Sequence, residues 1–593
     1  MWYQYLSIVG FLHLLPLLCT AAIVEHAEDL QSRTFDFVVI GGGAAGSVIA
    51  NRLTEDPRIS VLLLEAGGFE EDDLLTNVPA FYFNAMNSRL DWNYTAQIGP
   101  NNRTGSVTRG FVLGGSTAIN GMVYTRGSSD DWDRYANLTE DSGWSWDSIQ
   151  PYIRKNEKFT PPADHHNTSG QFDPAVHGFD GINSVTLPGF IHQLDELLIE
   201  TSEMPDTEFP FNLDLNSGNP LGIGWSQSTI LNGERSSAAT SYLGLPFRQR
   251  PNLHILLHAH ATRILQKSAS QSLTFNGVEF TQDGENLQVV TATKEVIISA
   301  GTIGSPQILM NSGVGDSEHL SELGIKSLLH LPSVGQNLTE QPLLAYIWLV
   351  NSTDPRDFAG PNATAVTAGY LDQWKQTKTG PLVVSGVSTT CFIRLPDNAS
   401  IFESFEDPSA GPNTPHIEVV FSNSDIGMFT VPTPDNFIGA SPNLLTPASR
   451  GYLTLNTSNP LDHPIINLNM LSSEFDMFAM REGVKSVRRL MESAPLQGFV
   501  LQSTINATTD QELDDYIREN AVAGLHLVGT ASMSPKGADW GVVDPDLKLK
   551  GAKGIRVVDA SVLPLVPAAH TQAPAYIVAE RAADLIKATW YLS

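Results

Sequence analysis

One stretch near the start of the chain constrains the fold more than any other. Residues 35–68 read FDFVVIGGGAAGSVIANRLTEDPRISVLLLEAGG. The run FDFVVIG predicts a buried strand, AAGSVIANRLTED carries apolar residues at helical spacing, and SVLLLEAG predicts a second strand. A strand, a glycine-rich loop, a helix and a strand in this order are typical of a nucleotide-binding unit of an α/β fold.

The glycines of this loop have the spacing Gly41-x-Gly43-x-x-Gly46. Gly41 permits a tight turn, Gly43 lets the backbone approach a pyrophosphate, and Gly46 lets helix and strand pack closely. The helix N-terminus favours the negative charge of the pyrophosphate. Glu65 closes the second strand, where it is placed to accept hydrogen bonds from an adenosine ribose. The pattern predicts a dinucleotide site, and a purely structural glycine turn is the alternative.

Further pieces of the same type are scattered along the chain. Residues 252–266 alternate as a strand pair would, and 294–315 predict a strand, a glycine turn and a helix. Residues 553–564 predict a strand that leads into a turn, and 573–590 a closing helix. Longer stretches rich in Pro, Asn and Trp lie between them. This order predicts one domain assembled from separate segments, with a second domain inserted.

The glycine loop alone does not separate NAD from FAD, because both carry a pyrophosphate. Residues 109–135, RGFVLGGSTAINGMVYTRGSSDDWDRY, favour a flavin. Their glycines at 114, 115 and 121 would let the backbone approach a flat ring, and Asn120 offers amide donors.

At this point the chain resembles the glucose-methanol-choline (GMC) flavin oxidoreductases. Residues 109–135 are similar to the first signature of that family and 301–315 to its second signature. Residues 525–533 and 558–576 resemble its C-terminal active-site segments. The resemblance covers residues 34–590 and implies FAD as cofactor. It also implies a Rossmann-like α/β FAD-binding domain with an inserted α+β substrate-binding domain of antiparallel sheet and helices.

The resemblance and the leader discussed below suggest a division of the chain into six parts. We expect a signal peptide at 1–27, FAD-binding segments at 34–110, 251–345 and 525–593, FAD-covering and substrate segments at 111–250, and the substrate-binding domain at 346–524.

Within the family, the chain most resembles the fungal aryl-alcohol oxidases. The similarity includes segments outside the catalytic motifs, at 155–178, 372–382 and 531–551. It implies a secreted monomer that oxidises a primary aryl or allylic alcohol to the aldehyde. The electrons would pass to O2, giving H2O2.

Two histidines are the catalytic candidates: His526 in GLHLVG and His570 in AAHTQAP. Alcohol oxidation by a flavin moves a hydride from the carbinol carbon to N5 while the hydroxyl loses its proton. A neutral imidazole is a natural proton acceptor near physiological pH. The resemblance implies that His526 is the base and His570 its hydrogen-bonding partner. Other histidines, such as His165, His166 and His177, are expected to be surface or structural residues.

The resemblance also supplies further FAD contacts. The flavin ring would be lined by Asn120, Gly121, Met122 and Val123 of the first signature. Adenine would contact the backbone of Ala261. In the C-terminal segments, the ribityl and phosphate region would contact Asp559 and Ala560, and the pyrimidine edge would lie near Thr571 and Gln572.

The substrate pocket departs from the aryl-alcohol oxidase pattern. Aromatic gate positions of that subgroup correspond here to Leu525 and Gly121, and Phe429 aligns loosely with a third. Phe and Tyr bury far more area than Gly or Leu. Their loss predicts a roomier, less selective pocket. The alternative is that nearby aromatics refill the space, and the candidates are Tyr82, Phe83 and Phe392.

The formal charge of −29 argues against nucleic acid or an anionic membrane as a partner, although an acidic solvated surface has the same composition.

Residues 1–27 read as a secretion leader with a short apolar region. One of the two cysteines, Cys19, lies in that leader and leaves Cys391 without an internal partner. Sequons support an extracellular glycoprotein; they begin at Asn93, Asn102, Asn137, Asn167, Asn337, Asn351, Asn362, Asn398, Asn456 and Asn506.

Other functions remain open from the sequence. A dehydrogenase for one pathway alcohol could deliver electrons to a quinone, and a sugar-type oxidase or dehydrogenase would share the STAINGM segment. An inactive flavin-binding protein is disfavoured because both histidines are present. A hydrolase is disfavoured because the chain has no Gly-x-Ser-x-Gly elbow. A small-molecule alcohol is therefore the expected partner, with no metal.

Overall fold

The computed structural model describes residues 23–592, except 70–71, 100–102, 269–270, 353–362 and 423–435. Cys19, Asn102, Asn362 and Phe429, which the sequence singled out, lie outside the described residues. The strands are β1 (Ile23–Val24), β2 (Thr34–Ile40), β3 (Val61–Leu64), β4 (Tyr94–Gln97), β5 (Thr104–Val107), β6 (Glu157–Phe159), β7 (Asn183–Val185), β8 (Gly222–Trp225), β9 (Ile230–Leu231), β10 (Glu234–Arg235), β11 (Leu253–Leu256), β12 (His260–Gln266), β13 (Phe275–Thr281), β14 (Leu287–Ile298), β15 (Val314–Gly315), β16 (Leu329–His330), β17 (Pro342–Leu344), β18 (Ile347–Val350), β19 (Thr389–Ile393), β20 (Ile417–Ser422), β21 (Phe437–Leu444), β22 (Tyr452–Thr454), β23 (Ile465–Asn467), β24 (Val500–Ser503), β25 (Ala521–Ala523) and β26 (Ile555–Val557). The helices are α1 (Ala44–Leu53), α2 (Leu74–Asn77), α3 (Tyr82–Ala85), α4 (Ser129–Thr139), α5 (Trp146–Asn156), α6 (Gln193–Ser202), α7 (Leu245–Arg248), α8 (Gly301–Asn311), α9 (Ser317–Glu322), α10 (Ala363–Thr377), α11 (Glu474–Met491), α12 (Asp510–Asn520) and α13 (Gln572–Trp590).

The first large sheet carries the nucleotide-type elements. It has eight strands in the order β1-β11-β3-β2-β14-β13-β12, with β26 beside β14. Strand β2 pairs in parallel with both β3 and β14, while β12, β13 and β14 form an antiparallel meander. The apolar side chains of β2 and β3 are fully buried, since helices cover parallel strands on both faces. The predicted strand, helix and strand over residues 35–68 are confirmed as β2, α1 and β3.

Residues 252–266 form two strands, but the predicted pairing of these strands with each other is wrong. Strand β11 pairs in parallel with β3, whereas β12 pairs with β13 at the far edge of the same sheet. Alternation of apolar residues identifies a strand and not its neighbour. The other nucleotide-type pieces are confirmed: β14 leads into α8, β26 precedes a turn, and α13 closes the chain.

The second large sheet is antiparallel and also has eight strands. Its main path is β24-β18-β21-β20-β19-β8, and β17 joins β21 to β25. Helix α11 packs against β21. This sheet together with the first confirms the predicted α/β class with an antiparallel substrate-side sheet. The six-part division of the chain stays a prediction.

The last residues of the predicted leader, 1–27, take part in the sheet. Residues 1–22 lie outside the described residues, but Ile23 and Val24 pair with β11 and Ala27 is buried. The signal peptide at 1–27 stays a prediction. Among the described residues, none of the helices has the length and apolar content that a membrane span requires.

Candidate active site

A cavity of about 380 Å³ lies between the two large sheets. Ile40 and Leu64, at the carboxyl ends of β2 and β3, line one side. Leu343, Val420 and Asn443 of the second sheet line another. Ligands of open parallel sheets bind outside these carboxyl ends. Most residues predicted for cofactor, substrate or catalysis line this one cavity, namely Gly41, Gly43, Glu65, Asn120, Gly121, Met122, Val123, Ala261, Leu525, His526, Asp559, Ala560, His570, Thr571 and Gln572.

The glycine loop is packed so tightly that side chains are excluded. A Cβ at Gly46 would stand 1.9 Å from the carbonyl oxygen of Gly41, and Gly41 itself has φ +95°. Gly46 therefore lies beneath the loop, where it lets α1 approach β2. Within the described residues, no side chain caps the N-terminus of α1 at Gly43, which lines the cavity together with Ala44. Uncapped N–H groups directed at a cavity fit a pyrophosphate.

Glu65 stands at the end of β3 and is held by two backbone amides. Gly42 donates its N–H to Oε2 at 2.8 Å, and Gly67 donates to Oε1 at 2.8 Å. Burial raises the pKa of Glu65 to about 7. A carboxylate with spare lone pairs, fixed beside the uncapped helix, fits the hydroxyl groups of a ribose.

Asp559 follows β26 and ties it to the start of α8. Its Oδ2 accepts hydrogen bonds from the Gly301 N–H at 2.9 Å and from Ser305 Oγ at 2.5 Å, and Oδ1 accepts from the Ser561 N–H at 2.8 Å. The buried hydroxyl of Ser299, on the cavity wall, has no partner within the described residues. The donors and acceptors around the glycine loop thus fit a dinucleotide.

The two catalytic candidates lie side by side, with ring centroids 4.6 Å apart and ring planes at 70°. His526 Nδ1 and Gln341 Oε1 are 2.6 Å apart, and the His526 backbone N–H donates to Glu340 Oε1 at 2.9 Å. His570 Nε2 lies 2.8 Å from Glu418 Oε1. Each imidazole is therefore held on one side by a fixed side chain from a distant segment.

The electrostatic surroundings keep His526 neutral. Burial, the neighbouring His570 and the Arg109 guanidinium hold the pKa of His526 well below its ordinary value. Burial also raises the pKa of Glu340 to about 7, against the opposing effect of Arg109. A neutral imidazole retains a lone pair, so it can accept a proton.

Arg109 fixes the backbone just before His526. Both of its terminal nitrogens donate to the carbonyl oxygen of Leu525, each at 2.9 Å. Leu525 has φ 68° and Met122 has φ 62°, which are left-handed conformations on the cavity wall. Such a conformation costs a non-glycine residue about 1 to 2 kcal/mol, so the surrounding hydrogen bonds must impose it.

Asn120 is oriented by a buried cation. Its Oδ1 accepts from Arg235 Nη1 at 2.9 Å and from the Met122 N–H at 3.1 Å. The Nδ2 group has no partner within the described residues and is available to a ligand. Burial lowers the pKa of Arg235 to about 9. Nearby, Gln572 Nε2 donates to the carbonyl oxygen of Val123 at 2.7 Å, which joins α13 to the same loop.

The wall near the histidines is mostly apolar. The second sheet and the loop before β19 contribute Leu343, Val387, Val420 and Asn443, of which only the last is polar. Tyr82 and Phe83 of α3 also line the cavity. A Cβ on Gly121 would lie 3.4 Å from Tyr82 Cε2, so Tyr82 fills the space in front of Gly121.

Tyr82 thus places an aromatic ring in front of Gly121, in line with the refilling alternative, and the roomier pocket stays a prediction. Phe392 does not serve this purpose, because it packs in a separate cluster with Leu215, Leu445 and Ala568. The position of Phe429 lies outside the described residues.

The structure brings in side chains that sequence reasoning missed: Arg109, Arg235, Glu340, Gln341, Glu418 and Asn443. Only Glu418 gave a local signal, as an acidic residue within the apolar strand HIEVVFS. His177, expected to be structural, is buried between Glu157 and Asp214 at 2.7 Å from each.

The predicted sequons differ in their surroundings. Asn337 is half-buried, and its amide nitrogen donates to Ser532 Oγ at 3.1 Å and to the carbonyl oxygen of Pro564 at 2.7 Å. A glycan would replace one hydrogen on that nitrogen and remove one of these bonds, and glycosylation of Asn337 stays a prediction. The side chains exposed to solvent are Asn93, Asn137, Asn167, Asn351, Asn398, Asn456 and Asn506.

Comparison with known proteins agrees with this geometry. Models of the N- and C-terminal parts of the GMC oxidoreductases match residues 35–343 and 447–579. Pyranose dehydrogenase 3 of Leucoagaricus meleagris is 41% identical over 95% of this chain and 95% of its own length.

Solved structures of the same fold are also similar. Formate oxidase of Aspergillus oryzae, studied for modification of its FAD, superimposes with a TM-score of 0.84 at 28% identity, covering 94% of this chain and 98% of the other. A fungal aryl-alcohol oxidase superimposes with a TM-score of 0.79 at 25% identity, covering 94% and 100%. FAD is accordingly the cofactor, as the sequence predicted. With both parts of the family matched across most of its length, this chain belongs to the GMC oxidoreductase family.

Proposed function

We propose that this protein oxidises a primary alcohol to the aldehyde, with His526 as the base and the neighbouring His570 as the hydrogen-bonding partner of the alcohol oxygen. The observation that carries the proposal is the pair of imidazoles 4.6 Å apart on the wall of the cavity that holds the dinucleotide loop. Bound FAD supplies the acceptor for the hydride that leaves the carbinol carbon.

The residues of the chain divide the remaining tasks. The N-terminus of α1 would hold the pyrophosphate, Glu65 the ribose, and Asn120 would donate to the ring. The lowered pKa of His526 keeps it unprotonated at neutral pH, so it takes the hydroxyl proton of the alcohol. His570, paired with Glu418, would hold the alcohol oxygen beside it.

The wall composition supports an alcohol with an apolar body, of the aryl or allylic class. Tyr82, Phe83, Leu343, Val387 and Val420 contribute apolar surface to the cavity that the histidines line. Such walls bind apolar groups by burying them and offer few partners for additional hydroxyl groups. Transfer of electrons to O2, giving H2O2, completes this proposal.

A sugar-type dehydrogenase that passes electrons to a quinone is the second candidate. The 41% identity to a pyranose dehydrogenase over 95% of the chain favours it, as does the amide of Asn443 on the otherwise apolar wall. Secretion as a monomeric glycoprotein belongs to both candidates and is supported by the exposed sequons. Secretion would be tested by sequencing the N-terminus of the protein recovered from culture medium.

Stopped-flow mixing of oxidised protein with benzyl, allyl and sugar alcohols, without oxygen, tests the substrate class. We expect aryl and allylic alcohols to bleach the flavin at least about tenfold faster than glucose. Faster bleaching by glucose would instead select the second candidate. Admission of air and, separately, of a quinone to the reduced protein then identifies the acceptor. If no primary alcohol reduces the flavin, the proposed function is wrong.

A further inference from the structure

Every polar atom of the Gln341 side-chain amide has a partner. The side chain is fully buried, and its Nε2 donates to the carbonyl oxygens of Leu445 and Pro567, each at 3.0 Å. Carbonyl oxygens accept hydrogen bonds and cannot donate them. Both amide hydrogens are therefore committed to these two carbonyls. The reverse orientation of the amide would place Oε1 against two other oxygens, so the orientation is fixed.

This orientation determines where His526 carries its hydrogen. Gln341 Oε1 can only accept, and it lies 2.6 Å from His526 Nδ1, so Nδ1 must carry the hydrogen. A neutral imidazole has one N–H, and the other nitrogen then holds the lone pair. His526 Nε2 has no partner within the described residues, and the ring lies on the cavity wall.

We propose that Gln341 is a positioning residue that fixes the Nδ1–H tautomer of His526, so that Nε2 alone can take the alcohol proton. This inference rests on the proposed function, since it assigns the proton-accepting atom of the same base. When the O–H bond of the alcohol breaks, the proton bonds to Nε2, and Nδ1–H continues to donate to Gln341. The ring needs no rotation before or after the transfer.

The neutrality of the amide matters as much as its orientation. The charged and titratable groups facing His526 are His570 beside its ring, Arg109 behind Leu525, and Glu340 at its backbone N–H, with Glu418 on the far side of His570. A neutral acceptor on Nδ1 stabilises the imidazolium less than a carboxylate would. It therefore leaves the base unprotonated in the resting protein.

Replacement by an apolar side chain of similar size separates positioning from simple packing. Gln341→Leu removes the acceptor on Nδ1, so the hydrogen of the neutral ring can then lie on either nitrogen. A carboxylate is not used, because its second oxygen would face the carbonyl oxygens of Leu445 and Pro567. A merely structural role would leave the hydrogen on Nδ1.

The experiment compares the wild type with Gln341→Leu and the control Gln336→Leu, at an exposed glutamine on the same segment. The rate of anaerobic flavin bleaching is measured between about pH 5 and 9 with the best alcohol of the panel. We expect Gln341→Leu to lose at least about tenfold in rate with its FAD content unchanged, because its tautomer is no longer fixed. We expect Gln336→Leu to match the wild type.

Nitrogen NMR of holoenzyme with isotope-labelled histidine shows which ring nitrogen carries the hydrogen, and it needs no substrate. The variant His526→Ala identifies the signals that belong to His526. We expect a protonated Nδ1 and a bare Nε2 at His526 in oxidised wild type. A protonated Nε2 in the wild type would overturn the inference, as would a hydrogen that stays on Nδ1 alone in Gln341→Leu. If no alcohol bleaches the flavin, the proposed function is refuted. The NMR result does not depend on that outcome, because it is measured without substrate.

Discussion

The two ends of the cavity are built from residues at very different separations along the chain. At the nucleotide end, the Gly42 N–H reaches Glu65 across 23 residues, within one strand–helix–strand unit. At the histidine end, Gln341 reaches His526 across 185 residues. The first end is a local motif, whereas the second is assembled by the tertiary fold. We therefore expect mutations at the first end to control cofactor loading and mutations at the second to control proton transfer.

The largest effect is expected at the glycine loop. In Gly46→Ala, the new Cβ would lie 1.9 Å from the carbonyl oxygen of Gly41, so α1 must move away from β2 and the pyrophosphate site is lost. We expect the variant to purify without FAD, as measured by the flavin absorbance per mole of protein. Gly369→Ala is the control, because its Cβ would meet nothing within 4 Å. Normal FAD content in Gly46→Ala would contradict a nucleotide end governed by close packing.

His526→Ala tests the opposite end. Loss of a general base lowers the rate of flavin reduction by about 100-fold to 10,000-fold, while the FAD content should equal that of the wild type. Stopped-flow reduction and flavin absorbance measure the two quantities on the same sample. If the variant loses FAD together with activity, the histidine end also controls cofactor loading, and the expected difference between the two ends is wrong.

A smaller effect is expected at Glu418, which holds His570 Nε2 at 2.8 Å. Glu418→Gln retains an acceptor for the ring but removes the negative charge beside it. We expect the rate of flavin reduction to fall by about tenfold or less, equivalent to about 1.4 kcal/mol. Glu403→Gln, at an exposed carboxylate, is the control. A loss as large as that of His526→Ala would make His570 an equal partner in the proton transfer.

The sequence predicted the nucleotide end because its determinants are short-range. Apolar runs, glycine spacing and the terminal Glu65 lie within 34 consecutive residues, and each has a fixed meaning in a βαβ unit. The two histidines were found through their motifs. Their partners were missed because both act through contacts with distant segments. Nothing in the local sequence marks Gln341, and Glu418 is marked only as an acidic residue within an apolar strand.

The errors have the same cause. Strand β12 was predicted beside β11, although the fold sends it to the other edge of the sheet. Phe392 was a candidate for refilling the pocket, but its side chain packs in a different cluster. Each outcome depends on a contact between segments far apart in sequence, which local patterns do not specify.

Strand β26 has a consequence for the biogenesis of the holoenzyme. It completes the sheet beside β14, yet it comes from residues 555–557, far along the chain from the glycine loop. A ribosome must therefore synthesise the chain beyond residue 557 before the binding site exists. Nascent chains truncated before β26 should then remain colourless even when the vitamin-derived cofactor is abundant.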